Sequence, residues 1–230
     1  MVERRKPYRY EMKFYLSEYH ALLLKQQLKM VMQLDEHSVS EDLSYSIRSL
    51  YFDNDLSTAF SEKMDGVEFR KKYRIRLYNQ DPSFIKLECK HKDDNMTWKE
   101  DCTITKEEAK GLIDGTLRVG NDRRELLVSF LEEVSANHLK PSVIVDYDRL
   151  AYIYDVSDVR ITFDYHIRSG RYTTDLFDFD SETLLAQEAN LVVLEVKCNE
   201  IIPQHILEIL YSIPKVRVAI SKFALCRSMK

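Results

Sequence analysis

The chain has 230 residues, enough to bury a sizeable core, and we expect one domain over 1–230 rather than two small ones. Hydrophobic residues make up 44% and charged residues 31%, with only 5 Gly and 5 Pro, a balance that excludes a disordered chain. Against 34 Lys and Arg stand 38 Asp and Glu, a formal net charge of −4, so the protein does not coat nucleic acid through bulk charge and any anion site must be local.

In chain order, the N-terminal "MVERRKPYRYEMKF" has charges but no apolar stretch of the kind an export signal needs. No later run approaches the roughly 20 apolar residues of a membrane span, and a cytoplasmic location is expected. The first strand, "YRYEMKFYL", places Arg9, Glu11 and Lys13 on one side and Tyr8, Tyr10, Met12 and Phe14 on the other. A helix with an apolar stripe follows over Ser17–Met32, and "YSIRSLYFD" reads as a strand. Next comes "FRKKYRIRLYN", in which Arg70, Lys72, Arg74 and Arg76 alternate with Lys71, Tyr73, Ile75 and Leu77. In "FIKLECK", Lys86, Glu88 and Lys90 oppose Ile85, Leu87 and Cys89; "HKDDNMT" reads as a polar loop, and "WKEDCTIT" as a strand. Thr105 with Glu108 forms a capping box for a short helix ending near Gly111 or Gly115, and Asn121–Asn137 carries one buried helical face. Further strands are expected at "SVIVDYDRLAY", at "VRITFDYHI" with Arg160, Thr162, Asp164 and His166 on one face, and at "VVLEVKC" with Glu195 and Lys197 on one face. "RYTTDLFDFDSET" reads as a loop, Pro203 opens a helix, and a last short helix runs through "AISKFALCRS".

About eight strands therefore share a charged side, and two arrangements explain it. An antiparallel sheet has one wet face, which charge suits. Alternatively, eight strands close into a barrel wide enough for side chains or one small ligand, and its cationic interior needs an anion, because unpaired buried charges cost several kcal/mol each. Neither GxxxxGK[ST] nor GxGxxG occurs, so phosphate would be held by side chains rather than by a glycine-rich backbone cradle. Arg matches phosphate oxygens with its fork and Lys adds a mobile point charge, a combination suited to a triphosphate or polyphosphate. Glu11, Glu88 and Glu195 have the hard oxygen chemistry of Mg²⁺ or Mn²⁺ ligands. The six His show no HxxxH pair, and the four Cys (Cys89, Cys102, Cys198 and Cys226) no CxxC pair, which fits reduced thiols.

Taken in order, "YEMKF", "SLYFDN", "EKMDG", "FRKKYRIRLY", "KLECK", "YDR", "RITFD", "LEVK" and "SKF" resemble the VTC (vacuolar transporter chaperone) polyphosphate polymerase domain of the triphosphate tunnel metalloenzyme or CYTH-like superfamily. The resemblance implies an α+β fold built on an eight-stranded antiparallel barrel with peripheral helices. It implies a metal-dependent phosphotransferase that moves the γ-phosphoryl group of ATP onto a polyphosphate chain, primed by pyrophosphate or polyphosphate. Carried onto this sequence, it assigns Lys13, Arg74, Arg76, Lys90, Arg149, Arg160, Lys197 and Lys222 to catalysis and Lys99 to phosphate binding. Arg70 and Lys72 would be phosphate-binding entrance residues. Glu195 would be the main ligand for Mn or Mg, with Glu11 and Glu88 as helpers or as partners orienting neighbouring cations. The superfamily's first strand favours ExExK; here the first Glu is Arg9, as in the VTC branch. Hydrolysis of triphosphates in the same tunnel and non-catalytic binding of polyphosphate or RNA stay open as alternatives; a nucleic-acid partner is not expected.

Overall fold

A computed structural model describes residues 10–38, 44–93, 96–118, 120, 122–170 and 172–229. Arg9 and Tyr8 of the expected first strand, and Asn121 at the expected start of the third helix, lie outside them.

Eight long strands carry the fold: β1 (Tyr10–Ser17), β3 (Tyr45–Asp53), β4 (Arg70–Tyr78), β5 (Asp81–Asp93), β6 (Met96–Ile104), β7 (Lys140–Tyr154), β8 (Val159–Gly170) and β10 (Leu191–Cys198). Three two-residue strands, β2 (Gln33–Leu34), β9 (Leu184–Leu185) and β11 (Val216–Arg217), bring the total to eleven. Neighbours pair antiparallel in the order β11-β1-β10-β8-β7-β3-β4-β5-β6, with β2 on β7 and β9 on β8. The closed eight-stranded barrel expected from the resemblance is therefore corrected to an open eleven-stranded sheet. Among the described residues no ladder joins β6 to β1, because β11 occupies the free edge of β1 at Phe14 and Tyr15. The sheet nevertheless curls: Lys90 on β5 reaches Glu11 on β1 at 2.6 Å, although the two strands lie far apart in the pairing order.

Alternation along each strand sorts side chains between a concave inner face and a convex outer face. The outer face is covered by helices. Under α1 (Glu18–Leu28) and α5 (Gln204–Tyr211), Leu24, Leu28, Ile206 and Leu210 bury against Leu16, Phe163 and Leu194. Under α3 (Lys106–Ile113) and α4 (Glu125–Asn137), Leu112, Leu127 and Phe130 bury against Phe52, Ile75 and Leu87. Each such side chain contributes roughly 1.5–3 kcal/mol by leaving water. Ser17 caps α1 by accepting from the His20 N–H, and Thr105 with Glu108 completes the expected capping box on α3.

The inner face has its own apolar end. Tyr51, Val143, Val145, Tyr147, Ile167 and Val193 enclose Phe223 and Cys226 of α6 (Lys222–Arg227), so the last helix plugs part of the concavity. A bulge sets this boundary: His166 has φ 48°, and pairing slips between Asp146 and Asp148. Beyond the bulge the face flips. Ile167 and Ser169 point inward, while His166, expected on the charged row, lies outside and bonds to Asp148 at 3.0 Å.

One helix was not anticipated. α2 (Thr58–Met64) buries none of its residues. It is held by its start: buried Asp53 accepts from the backbone N–H groups of Asn54, Ala59 and Phe60, and Asn54 accepts from Thr58. The "HKDDNMT" segment, expected as a loop, is mostly strand, since β5 runs to Asp93 and β6 begins at Met96.

Candidate active site

The inner face encloses a cavity of about 1200 Å³ whose wall includes side chains from β1, β4, β5, β6, β7 and β10 and from α2 and α6. Lys13, Arg70, Lys72, Arg74, Arg76, Lys90, Lys99, Arg149, Lys197 and Lys222 all reach it, as do Glu11 and Glu195. Period-2 alternation explains this convergence: each strand contributes every second residue, and the ladders align them. Glu11 stands opposite Lys197, Lys13 opposite Glu195, and Arg74 opposite Glu88.

Arg160 is not brought to the cavity wall. Its Nη2 meets Asp35 at 2.8 Å and the Tyr45 hydroxyl at 3.2 Å, so it ties the segment after β2 to the sheet. Glu88, too, stops short of the cavity surface. One of its oxygens takes Arg74 at 2.5–2.6 Å and lies 3.7 Å from Arg76, and the other takes Lys99 at 2.9 Å. Burial alone would push the Glu88 carboxyl up, but the Arg74 and Arg76 guanidinium groups and Lys99 hold it well below the ordinary range. Both lone-pair sets are engaged, and Glu88 thus orients two cations. Arg74 also donates to the Tyr51 hydroxyl at 2.7 Å, and Arg76 to Ser49 at 3.0 Å and Tyr147 at 3.1 Å.

Glu11 and Glu195 differ from Glu88 because both face the cavity. Lys13 lies 2.8 Å from Glu11 Oε1, and Lys90 lies 2.6 Å from Glu11 Oε2. Glu195 has Lys197 at 3.3 Å, Arg149 at 3.6 Å and Lys13 at 3.9 Å. Burial opposes ionisation of Glu195, yet Lys197 and Lys13 keep its carboxyl well below the usual range, so it is an anion at neutral pH. Glu11, already paired with Lys13 and Lys90, lies beside Glu195. Two adjacent carboxylates offer the hard oxygen atoms that a divalent ion such as Mg²⁺ or Mn²⁺ prefers. Among the described residues, no three His, Cys, Asp or Glu cluster as a ready-made metal cage.

Deeper still, Arg149 and Lys222 converge on fully buried Asp164, at 2.6 and 2.8 Å and at 2.5 Å. Lys63 on α2 and Lys92 on β5 also stand on the wall, as do Arg123, Arg124 and Arg217, none of them expected there from the sequence. Lys63 had no strand alternation to reveal it, and Lys92 lay in a segment read as loop. Burial, reinforced by Arg70 and Lys63, lowers Lys72 to about 7; burial lowers Lys197 to about 8 against the pull of Glu195 and Glu11.

The model of the VTC domain matches residues 8–229. The chain belongs to the VTC domain family. No curated protein matches it in sequence. Among solved structures, a Bacillus halodurans protein provisionally named an adenylate cyclase superposes with TM-score 0.52 at 15% identity, covering 90% of this chain and 88% of that one. The PH1819 protein of Pyrococcus horikoshii gives 0.48 at 13% identity, covering 97% and 100%. A Vibrio parahaemolyticus protein, also provisionally named an adenylate cyclase, gives 0.47 at 11%, covering 90% and 84%. At such identity the first of these shows a shared fold. No helix among the described residues of this VTC domain is long and apolar enough to cross a membrane.

Proposed function

We propose that this VTC domain is a polyphosphate polymerase-type phosphotransferase, moving the γ-phosphoryl group of ATP onto a polyphosphate or pyrophosphate acceptor. The observation that carries this reading is the convergence of fifteen Lys and Arg side chains on one cavity whose wall also presents the carboxylates Glu11 and Glu195. A linear phosphate chain with a bridging cation matches that charge pattern.

Arg74, Arg76 and Arg149 hold the β- and γ-phosphates of the nucleotide, each already oriented by protein partners, so little ordering is left for the reacting state. Lys13, Lys90, Lys99, Lys197 and Lys222 neutralise the acceptor. A terminal phosphate oxygen of the acceptor attacks the γ-phosphorus, the β–γ bridging bond breaks, and ADP leaves with that electron pair. The acceptor oxygen is ionised, so the step requires no general base. Mn²⁺ or Mg²⁺ held by Glu195 and Glu11 would draw charge from the phosphate oxygens. Glu88 serves by fixing Arg74 and Lys99.

The test is incubation with ATP and Mn²⁺, with and without pyrophosphate, read by phosphorus NMR beside Glu195→Gln and Arg74→Ala. Inner-chain phosphate resonances that disappear in both variants are expected. Orthophosphate with ADP would make the protein a hydrolase, and unchanged ATP beside tight polyphosphate binding would make it a receptor.

A further inference from the structure

The cavity has a side branch that the charged rows do not account for. A strand with one face to a cavity lends it every second residue. Arg74 and Arg76 on β4, and Lys90 and Lys92 on β5, keep that rule, with Ile75 and His91 absent from the wall. On β6 it fails: Thr97, Trp98, Lys99, Glu100, Asp101 and Cys102 all line the cavity. β6 is an edge strand, and among the described residues only β5 pairs with it. The cavity therefore passes round the free edge of β6 into a branch on the outer side, where Trp98 and Glu100 share the wall with Glu125 and Leu126 at the start of α4.

This branch is poorly suited to phosphate. Its carboxylates, Glu100 and Glu125, repel an anion. The Arg124 guanidinium is taken by Glu108, Asp122 and the Thr103 carbonyl, so that exposed Arg123 stands against two acids. What the branch offers is an aromatic surface. The half-buried Trp98 indole lies parallel to the His91 imidazole, with ring centroids 4.6 Å apart and 2° between the planes, a contact that fixes how the indole is turned. A planar base stacks well on such a ring, and a carboxylate accepts a hydrogen bond from an exocyclic amino group such as that of adenine. The branch also adjoins the part of the cavity given to the nucleotide, because Glu88 ties Arg74 to Lys99, the neighbour of Trp98 on β6.

We propose that the branch round the β6 edge receives the nucleoside of the donor, with Trp98 as the stacking surface for its base, so that the cavity selects a nucleoside triphosphate over inorganic tripolyphosphate. This rests on the reading of the cavity as a phosphate-transfer site. A ladder joining β6 to β1 would seal the path from Arg74 to Trp98; the open edge keeps it clear.

Trp98 is the chain's one tryptophan, so its emission reports the contact directly. The β,γ-imido analogue of ATP, which resists transfer, and tripolyphosphate are each titrated with Mg²⁺ present. Fluorescence follows wild type, and calorimetry follows wild type, Trp98→Leu and Trp98→Phe. The analogue should quench wild-type emission and tripolyphosphate should not. Trp98→Leu should bind the analogue roughly tenfold more weakly while its tripolyphosphate affinity changes by less than about twofold, and Trp98→Phe, which keeps a ring, should recover most of the loss. Should the leucine variant not fold, the quench and the phenylalanine variant decide. Equal weakening for both ligands would make Trp98 a structural residue. Emission that ignores the analogue, or responds alike to both ligands, would place the base elsewhere, as would unchanged analogue affinity in Trp98→Leu. Each of these overturns this inference and leaves the proposed function standing, whereas failure of both ligands to bind wild type overturns the two together.

Discussion

Arg149 and Asp164 face each other across the β7–β8 ladder, joined by contacts of 2.6 and 2.8 Å, and the same Arg149 Nη2 lies 3.6 Å from Glu195. One guanidinium therefore serves both the buried framework and the cavity wall. Asp164 is completely buried and also carries Lys222, the first residue of the helix that plugs the concavity. Asp164→Asn leaves two buried cations short of a counter-charge, and we expect a loss of about 3–5 kcal/mol in denaturant unfolding. An unchanged midpoint would mean that water already shields this pair.

The two roles given to glutamates separate experimentally. Glu195→Gln should abolish tight Mn²⁺ binding, followed by electron paramagnetic resonance. Glu88→Gln should leave Mn²⁺ affinity within about twofold while loosening Arg74 and Lys99, and so reduce turnover by roughly 10²-fold. Equal loss of Mn²⁺ in both variants would return Glu88 to the metal site.

Acidity offers a third test. Lys72 is lowered to about 7 first by burial and then by Arg70 on its own strand, Lys63 on α2, Lys90 on β5 and Lys13 on β1; α6 supplies only Ser221 and the Phe223 ring. An unfolded lysine titrates near 10.5. Between pH 7 and 10.5 the unfolded state thus binds more protons, and this residue makes stability rise with pH; below 7 the penalty is fully present. Lys72→Gln should flatten that slope in melting curves taken across the window. A phosphate chain favours the charged ammonium, so binding should draw protons onto Lys72 and Lys197 and strengthen as pH falls from 9 towards 7. Calorimetry in buffers of different ionisation enthalpy reads the uptake directly.

A fourth prediction concerns Asp53, whose carboxylate satisfies three backbone N–H groups at the start of α2. Asp53→Ala should cost about 1–2 kcal/mol and speed amide exchange over Thr58–Met64. Exchange confined to wild-type rates would show that α2 is held by something else.

The eight long strands were legible because charge alternates with apolar residues wherever one face is wet or lumenal and the other carries helices, as Arg74 and Arg76 beside Tyr73 and Ile75 show. Period 2 fixes which side a residue faces, but not how far along a tilted strand it lies. Arg160 illustrates the limit: it shares the inner parity of Asp164, yet meets Asp35 rather than the cavity. Nor does spacing reveal a partner, so Glu88 and Glu195, each in an ExK triplet, looked alike until their neighbours were seen. The bulge at His166 and the short helix α2 were hidden for a related reason. Both depend on backbone geometry, a positive φ in one case and long-reach capping by Asp53 in the other, rather than on hydrophobic pattern.

The pairing of β1 with β10 has a consequence for how the chain is made. Tyr10 finds its ladder partner at Cys198, so the chain must be made as far as Cys198 before β1 gains that neighbour. Until then Met12, Phe14 and Leu16 have no sheet to enter. Contacts this distant in sequence close slowly, and a waiting strand with an open edge invites pairing with other chains. The slow step in acquiring this fold should be the capture of its first strand by its last long one, and truncation anywhere before Leu191 should yield aggregates rather than a smaller folded core.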